Sequence, residues 1–412
     1  MIFAREKEGS LKVVHKYGPC NQHHEDKATV PPSHSEILLQ DQSRVNSIRS
    51  RVLKNRKQTN AAVDVEAKSG DSLGSGNYIV TVGLGTPKKD LSLIFDTGSP
   101  LTWTQCLPCS SSCYYQKDPM FDPSKSSTYI NVSCYTPECA SETSTCIYGI
   151  QYGDRSYSVG YFGKETITLS KYDVFDGFLF GCGHKNRGLF GRTAGLLGLG
   201  RDTFSIVQQT SNIYKRIFSY CLPTHFGGST GHLTFGRTPV SYKDIKYTPL
   251  STSTDIKDSF YALDLEGITV AGTKLYIPSS IFSSPGTIID SGTVITRLPA
   301  TAYKALKSAF RQFMSSYPRA PALSILDTCY DFSSYSSFKI PKISFLFGGG
   351  VVVELKPQGI LYVGSVTQIC LAFAGYSDDD EVTIFGNAQQ QTLEVVYDAG
   401  EGRIGFGPVV CH

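Results

Sequence analysis

The stretches Phe95-Asp96-Thr97-Gly98-Ser99-Pro100 and Ile289-Asp290-Ser291-Gly292-Thr293-Val294 decide the fold, because they are two copies of one motif. Each is an apolar run (LSLIFD, GTIID) that ends in Asp-Thr/Ser-Gly-Ser/Thr, and the two aspartates stand 194 residues apart. Roughly a hundred residues after each comes an apolar run broken by glycine, AGLLGLG at 194–200 and TIFGN at 383–387. A repeat of this period predicts two related halves of roughly 170 residues, each giving one aspartate to a shared face.

The intervening sequence agrees. From Asn77 onward, short alternating or apolar runs such as NYIVTVGLG, ETITLS, FLFGCG, GHLTFG, FYALDLEGITV, KISFLF, VVVEL and EVVYD are separated by glycine and proline and read as strands. Helices are few. The clearest is TAYKALKSAFRQFM (301–314), with Tyr303, Leu306, Phe310, Phe313 and Met314 on one face. The expected fold is mostly β, with two related β lobes and a cleft between them. The chain divides into a polar N-terminal segment (1–69), a first lobe (70–240) and a second lobe (241–412), with SGDSLGSG (69–76) as a linker by composition. Forty per cent of the 412 residues are apolar and only 18% charged, so the chain can bury a large core. No run reaches the ~18 apolar residues that a spanning helix needs.

A single Asp-Thr-Gly is ordinary turn chemistry. Two of them, each after an apolar strand and one lobe apart, point to a pair of carboxylates. Two buried carboxylates brought together cannot both ionise, so they share one proton. Such a pair takes a proton from water and gives one to a carbonyl oxygen, which is hydrolysis without a metal or a covalent nucleophile. The neighbours fit that chemistry. Gly98 and Gly292 leave backbone N–H groups free for the carboxylates. Thr97 and Ser291 carry hydroxyls that can bond across to the opposite lobe, and Ser99 and Thr293 are placed to orient the carboxylate oxygens. No cofactor and no metal are expected. His184, His225 and His232 are isolated, and the glycines at 195, 198 and 200 lack the acidic residue that a dinucleotide loop requires.

The N-terminal segment differs in charge. Residues 1–69 hold 12 Lys+Arg against 8 Asp+Glu, which leaves residues 70–412 at −1 of the total +3. The most basic stretch contains Arg44, Arg49, Arg51, Lys54, Arg56 and Lys57; it reads as a membrane or nucleic-acid arm or, more simply, as a solvated helix of a removable segment, with Ile37–Leu53 amphipathic. Its basic excess predicts a segment that covers an acidic cleft and leaves at low pH. A mature charge of −1 gives no electrostatic footprint for nucleic acid. Twelve cysteines, crowded around Cys106, Cys109, Cys113, Cys134, Cys139 and Cys146, fit disulfides in an oxidising compartment better than zinc, because the second half lacks a matching Cys-x2-Cys pair. The sequon Asn131-Val132-Ser133 agrees with secretion and marks Asn131 as a glycosylation candidate. MIFAREKEGS has charge within five residues and no apolar core, so no signal peptide is expected in it.

These residues carry a resemblance. FDTGS, IDSGT and the two apolar-glycine motifs resemble the pepsin-like aspartic proteases over essentially all of 77–412. The cysteine-rich insert after Trp103, with YGDRSYSVG, FGCG, FSYCLP, IDSGTVITRLP and FGNAQQQTLEVVYD, is similar to the plant nepenthesin-like group, close to the chloroplast-nucleoid DNA-binding type. The resemblance implies a bilobal pepsin-like fold and an aspartic endopeptidase with Asp96 and Asp290 as the catalytic pair, pepstatin-sensitive and active at acidic pH. It implies a flap over the cleft carrying Tyr152, with Trp103 packed behind it, and residues 1–69 as an inhibitory propeptide. It also implies the disulfides Cys106–Cys109, Cys113–Cys182, Cys134–Cys146, Cys221–Cys411 and Cys329–Cys370, with Cys139 unpaired. The expected partners are polypeptide substrates and the chain's own propeptide; nucleic acid and membrane are not expected, and the protein is expected to be a monomer. Its expected location is secreted, extracellular or vacuolar/plastid-associated. The competing reading is a catalytically inactive inhibitor or binding protein on the same fold.

Overall fold

The structure, a computed structural model, describes residues 9–21, 32–58, 70–71, 78–109, 112–133, 146–152, 156–188, 190–224, 228–236, 245–252, 256 and 260–408. A fifteen-stranded sheet runs through both lobes. At its centre, Ser10–His15 lies antiparallel between Gly231–Phe235 and Tyr78–Leu84, with Ser10 opposite Thr234 and Val14 opposite Ile79. On one side the sheet passes through Ile217–Cys221 to the C-terminal strands Leu393–Asp398 and Arg403–Pro408. On the other it continues through Lys89–Asp96 to the antiparallel pair Tyr157–Thr168 and Val174–Arg187. The second lobe adds a five-stranded sheet built on Thr287–Ile289, Thr383–Phe385 and Thr296–Leu298.

The sequence repeat is a structural repeat. In the first lobe Gly195–Gly198 runs parallel to Lys89–Asp96, with Gly198 opposite Asp96, and antiparallel to Trp103–Gln105. In the second, Thr383–Phe385 runs parallel to Thr287–Ile289 and pairs antiparallel with Thr296–Leu298. Each aspartate therefore stands at the end of a strand whose other edge is held by the apolar-glycine motif. The glycines permit the crossing chain to come close. A Cβ on Gly198 would lie 2.2 Å from the Pro100 carbonyl oxygen, and one on Gly386 would lie 2.7 Å from that of Val294. Strands at the junction, such as Ile217–Cys221 and Leu393–Asp398, are buried at every position and so on both faces, whereas Ile147–Gln151 alternates buried and exposed.

Aromatic side chains fill the junction of the lobes. Phe218 stacks on Tyr397 at 4.4 Å, Tyr261 meets Tyr397 edge-on at 4.6 Å, and the Tyr261 hydroxyl bonds the Leu199 carbonyl at 2.9 Å. Each such ring contributes about 1.5–3 kcal/mol by burial. The helix expected at 301–314 spans Ala300–Phe313 with Tyr303, Leu306 and Phe310 buried. Phe313 departs from the expected face and is 43% exposed, because Met314 turns inward as the cap and takes the buried place.

The disulfides differ from those the resemblance implied. Cys106 pairs with Cys182, and Cys109 with Cys113, in place of Cys106–Cys109 and Cys113–Cys182. Strand register is the reason. Trp103–Gln105 and Val174–Arg187 are parallel neighbours with Thr104 opposite Cys182, and the Cys106 N–H bonds the Gly183 carbonyl. That brings Cys106 and Cys182 to a Cα separation of 5.4 Å and leaves Cys109 and Cys113 to close their own turn. Cys329 and Cys370 are paired and sit directly opposite one another on adjacent strands. Cys146 and Cys221 are disulfide-bonded, while Cys134, Cys139 and Cys411 lie outside the described residues. Cys20 is a free thiol whose Sγ bonds the Gly228 carbonyl.

The close approach at Gly198 is testable. Gly198→Ala is expected to destabilise the protein by about 3 kcal/mol or more, since the clash is with backbone that cannot move aside. Gly149→Ala, where the nearest atom to a new Cβ is 4.0 Å away, is expected to stay within about 0.5 kcal/mol. Thermal unfolding of the two variants side by side measures the difference; equal midpoints would contradict the crossing geometry.

Candidate active site

The two motifs meet at the bottom of the cleft. Asp96 and Asp290 are both fully buried. The Gly98 N–H donates to Asp96 Oδ1 at 2.9 Å and the Ser99 hydroxyl to Oδ2 at 2.6 Å. The second lobe repeats this, with the Gly292 N–H on Asp290 Oδ1 at 3.3 Å and the Thr293 hydroxyl on Oδ2 at 2.5 Å. Between the lobes, the Ser291 N–H donates to Thr97 Oγ1 at 2.9 Å and the Thr97 N–H to Ser291 Oγ at 3.1 Å. Asn387 Nδ2 holds the Ser291 carbonyl from behind at 2.9 Å. All eight residues of the doubled motif are thus brought together with a local two-fold relation.

A third group occupies the space between the carboxylates. The guanidinium of Arg44, fully buried, places Nη2 at 2.7 Å from Asp96 Oδ1 and 2.7 Å from Asp290 Oδ1. Its Nη1 donates to Asp96 Oδ2 at 3.1 Å, and its Nε to Asp290 Oδ2 at 2.9 Å. One planar fork therefore engages both carboxylates in bidentate fashion, a geometry that lysine cannot reproduce. Gly292 makes the room, since a Cβ there would lie 2.2 Å from Arg44 Cζ. Burial opposes the Asp290 charge, but the adjacent guanidinium, the Thr293 hydroxyl and the Gly292 N–H outweigh it and hold the carboxyl below its ordinary value. Burial likewise opposes the Arg44 charge, and the two carboxylates reverse that and raise its pKa.

Arg44 comes from the N-terminal segment. The helix His34–Gln58 opens with a capping box, in which the Ser33 N–H donates to Glu36 at 2.7 Å and the Glu36 N–H to the Ser33 hydroxyl at 3.2 Å. It is longer than the expected 37–53 and is not solvated all round. Leu38, Val45, Ile48 and Val52 form a buried stripe, and Asp41 and Arg44 lie on the same stripe. Arg49 pairs with Glu381, while Arg51 donates to the Gly98 carbonyl at 3.1 Å and lies over the Phe260 ring. Arg44 and Asp41 were not singled out from the sequence. The available signal was two charges at i and i+3 on an otherwise apolar stripe, which demands buried partners of opposite charge.

The other sequence candidates lie around this centre. Tyr152 is buried at the end of the antiparallel pair Ile147–Gln151 and Tyr157–Thr168, with its N–H on the Ser156 carbonyl at 2.6 Å. Trp103 Nε1 donates to the Tyr152 hydroxyl at 2.5 Å, and Phe190 packs edge-on against both rings. Asn131 is exposed on the first lobe, away from the cleft, and accepts a bond from the Tyr129 hydroxyl. Among the described residues, no group of three or more His, Cys, Asp or Glu side chains could hold a metal ion, and no helix is long and apolar enough to cross a membrane.

Residues 78–237 match a family model described as xylanase inhibitor N-terminal, and residues 260–408 one described as xylanase inhibitor C-terminal. The chain is 56% identical to an aspartyl protease family protein of Arabidopsis thaliana, over 98% of this chain and 88% of the relative. It is 36% identical to aspartic proteinase nepenthesin-2 of Nepenthes gracilis, over 86% of this chain and 81% of the relative. The crystal structure of basic 7S globulin from soybean shares the fold at a TM-score of 0.65 and 20% identity, over 84% of this chain and 96% of that one.

The ion cluster predicts a pH-dependent stability. A carboxyl held below its unfolded value stabilises the native state above that value, and the contribution is lost as pH falls through the lower native pKa. Arg44→Met removes the cation and leaves two buried carboxylates facing each other. The loss at pH 7 is expected to be about 3 kcal/mol or more. At a pH of about 3, below the ordinary carboxyl range, the gap between variant and wild type should shrink. Thermal unfolding at both pH values checks this, and a gap of equal size at both would contradict the assignment.

Proposed function

Because the chain belongs to the aspartic proteases, in their nepenthesin-like plant group, we propose that it is an aspartic endopeptidase in a latent form, with Asp96 and Asp290 as the catalytic pair and residues 1–69 as its inhibitory propeptide. The observation that carries this reading is the single guanidinium shared by both carboxylates at 2.7 Å. A strongly basic group seated where water and substrate must bind holds the Asp290 carboxyl below its ordinary value and excludes substrate. Intact Asp-Thr-Gly-Ser and Asp-Ser-Gly-Thr turns, each with its full set of supporting hydrogen bonds, favour this over an inactive binding protein on the same fold.

With the helix withdrawn, the two carboxylates share one proton. The ionised one takes a proton from a water held between them as that water's oxygen adds to the scissile carbonyl carbon, and the protonated one donates to the carbonyl oxygen. The tetrahedral intermediate then breaks its C–N bond as the nitrogen takes the proton gained from water and the diol returns its own to the other carboxylate. The Gly98 and Gly292 N–H groups and the Ser99 and Thr293 hydroxyls hold the oxygens in place, so little reorganisation accompanies the step. The Thr97–Ser291 bonds keep the lobes in register. Tyr152, tied to Trp103, is the flap residue that closes over the substrate. Acid favours release because the vacated pair takes up a proton that the docked, Arg44-paired carboxylates do not, so falling pH shifts the balance toward the withdrawn helix. Membership of the family supports acid activity and pepstatin sensitivity, and the disulfides fit an oxidising compartment such as the cell exterior or the vacuole.

Asp96→Asn and Asp290→Asn are each expected to abolish hydrolysis of a denatured protein at acidic pH. Retention of more than about a tenth of the wild-type rate, a loss below ~1.4 kcal/mol, in either variant would sink the assignment.

Incubation near pH 4 is expected to remove about a sixth of the 45.0 kDa chain, with a new N-terminus between residues 67 and 75. Gel mobility, N-terminal sequencing and pepstatin-inhibitable activity followed together test this. Full activity of the uncut 412-residue chain would show that the helix does not block the site.

A further inference from the structure

One helical turn before Arg44, a second charge is buried. Asp41 is fully buried, although the rest of its stripe, Arg44 apart, is apolar. Its carboxylate accepts from the Val294 N–H at 2.6 Å, from the Ile295 N–H at 3.2 Å and from Arg297 Nη2 at 2.9 Å. These three donors belong to the second lobe and the carboxylate to the helix. Arg297 is 1% exposed and is fixed by its own lobe: it lies on the strand Thr296–Leu298, and its Nη1 donates to the Ile295 carbonyl at 2.7 Å. Gln42 Oε1 stands 3.4 Å from Nη2, and Nε has no partner among the described residues. Burying a guanidinium is costly unless an anion meets it. The lobe therefore carries an anion pocket that begins one residue after Thr293, whose hydroxyl holds Asp290.

Resting on the reading that the helix vacates the cleft, we propose that Arg297, with the Val294 and Ile295 N–H groups, is a substrate subsite for an acidic side chain, and that Asp41 occupies it as a stand-in. The helix rises ~1.5 Å per residue, so Asp41 lies ~4.5 Å along the axis from Arg44. An extended peptide advances ~3.3 Å per residue. The pocket is thus within a few substrate positions of the scissile bond, and the enzyme selects peptides with Asp or Glu at one fixed position.

The test uses the full chain after acid processing and peptides blocked at both ends. The peptides are identical except for one Asp or Asn, walked across the positions on either side of the scissile bond. At pH about 5, above the ordinary aspartate pKa of ~3.9, one position is expected to give an Asp-to-Asn ratio in kcat/KM of about tenfold, as a charge-assisted hydrogen bond supplies. In Arg297→Met that ratio should fall to about one, and Arg297→Lys should keep part of it. A ratio near one at every position of the wild type, or one unmoved in Arg297→Met, overturns the subsite. Should Arg297→Met not fold, the wild-type walk and Arg297→Lys decide the matter. If the wild type cuts none of the peptides, the endopeptidase reading fails, and the same ratio is then read as binding by fluorescence anisotropy. Tighter binding of the Asp peptide upholds the subsite, and equal binding overturns it.

Discussion

One guanidinium between two carboxylates is the constraint on which the rest depends. Asp96 and Asp290 are wholly out of water, and without a cation they cannot both be charged. Arg44 resolves that conflict by meeting all four carboxylate oxygens. Such a cluster adds little net stability, because removing three charges from water opposes their attraction. What it provides is a single seat. The bidentate fork fits one orientation of the helix, and the pairs Asp41–Arg297 and Arg49–Glu381 fix its rotation and register along the cleft.

The scaffold exists to hold those carboxylates at one separation. Each stands at the end of a strand clamped by a glycine-broken neighbour, and the two clamps are tied by reciprocal bonds between Thr97 and Ser291. The aromatic packing of Phe218, Tyr261 and Tyr397 at the lobe junction makes that spacing stiff. The two carboxylates are thus placed on rigid strands, while the element that covers them is a single helix docked by an apolar stripe and ion pairs.

The two-lobed β fold and the doubled motif were legible in the sequence because they are local patterns that occur twice. Apolar runs ending in Asp-Thr/Ser-Gly identify themselves, and the Gly98, Ser99, Gly292 and Thr293 groups that orient the two carboxylates lie within three residues of them. Contacts between distant strands were not legible. Cys106 and Cys109 are three residues apart and invite a local bridge, yet strand register gives Cys106 to Cys182, 76 residues away. The basic stretch at 44–57 announced a charged helix but not its use, since Arg44 looks like its neighbours until its place on the buried stripe is seen. Arg297, inside a strand, carried no signal at all without the carboxylate that meets it.

The strand Ser10–His15 carries a consequence of its own. It is bonded along both edges, to Gly231–Phe235 and to Tyr78–Leu84, in the middle of a sheet rather than at its border. Taking it away with the rest of the N-terminal segment would open a slot with two facing rows of unsatisfied N–H and C=O groups, a template for any extended chain. If that segment leaves as proposed, its release is also an exchange: a new chain end, or a strand from another molecule, would fill the vacancy, and which of them arrives first would decide whether the protein stays in solution or self-associates.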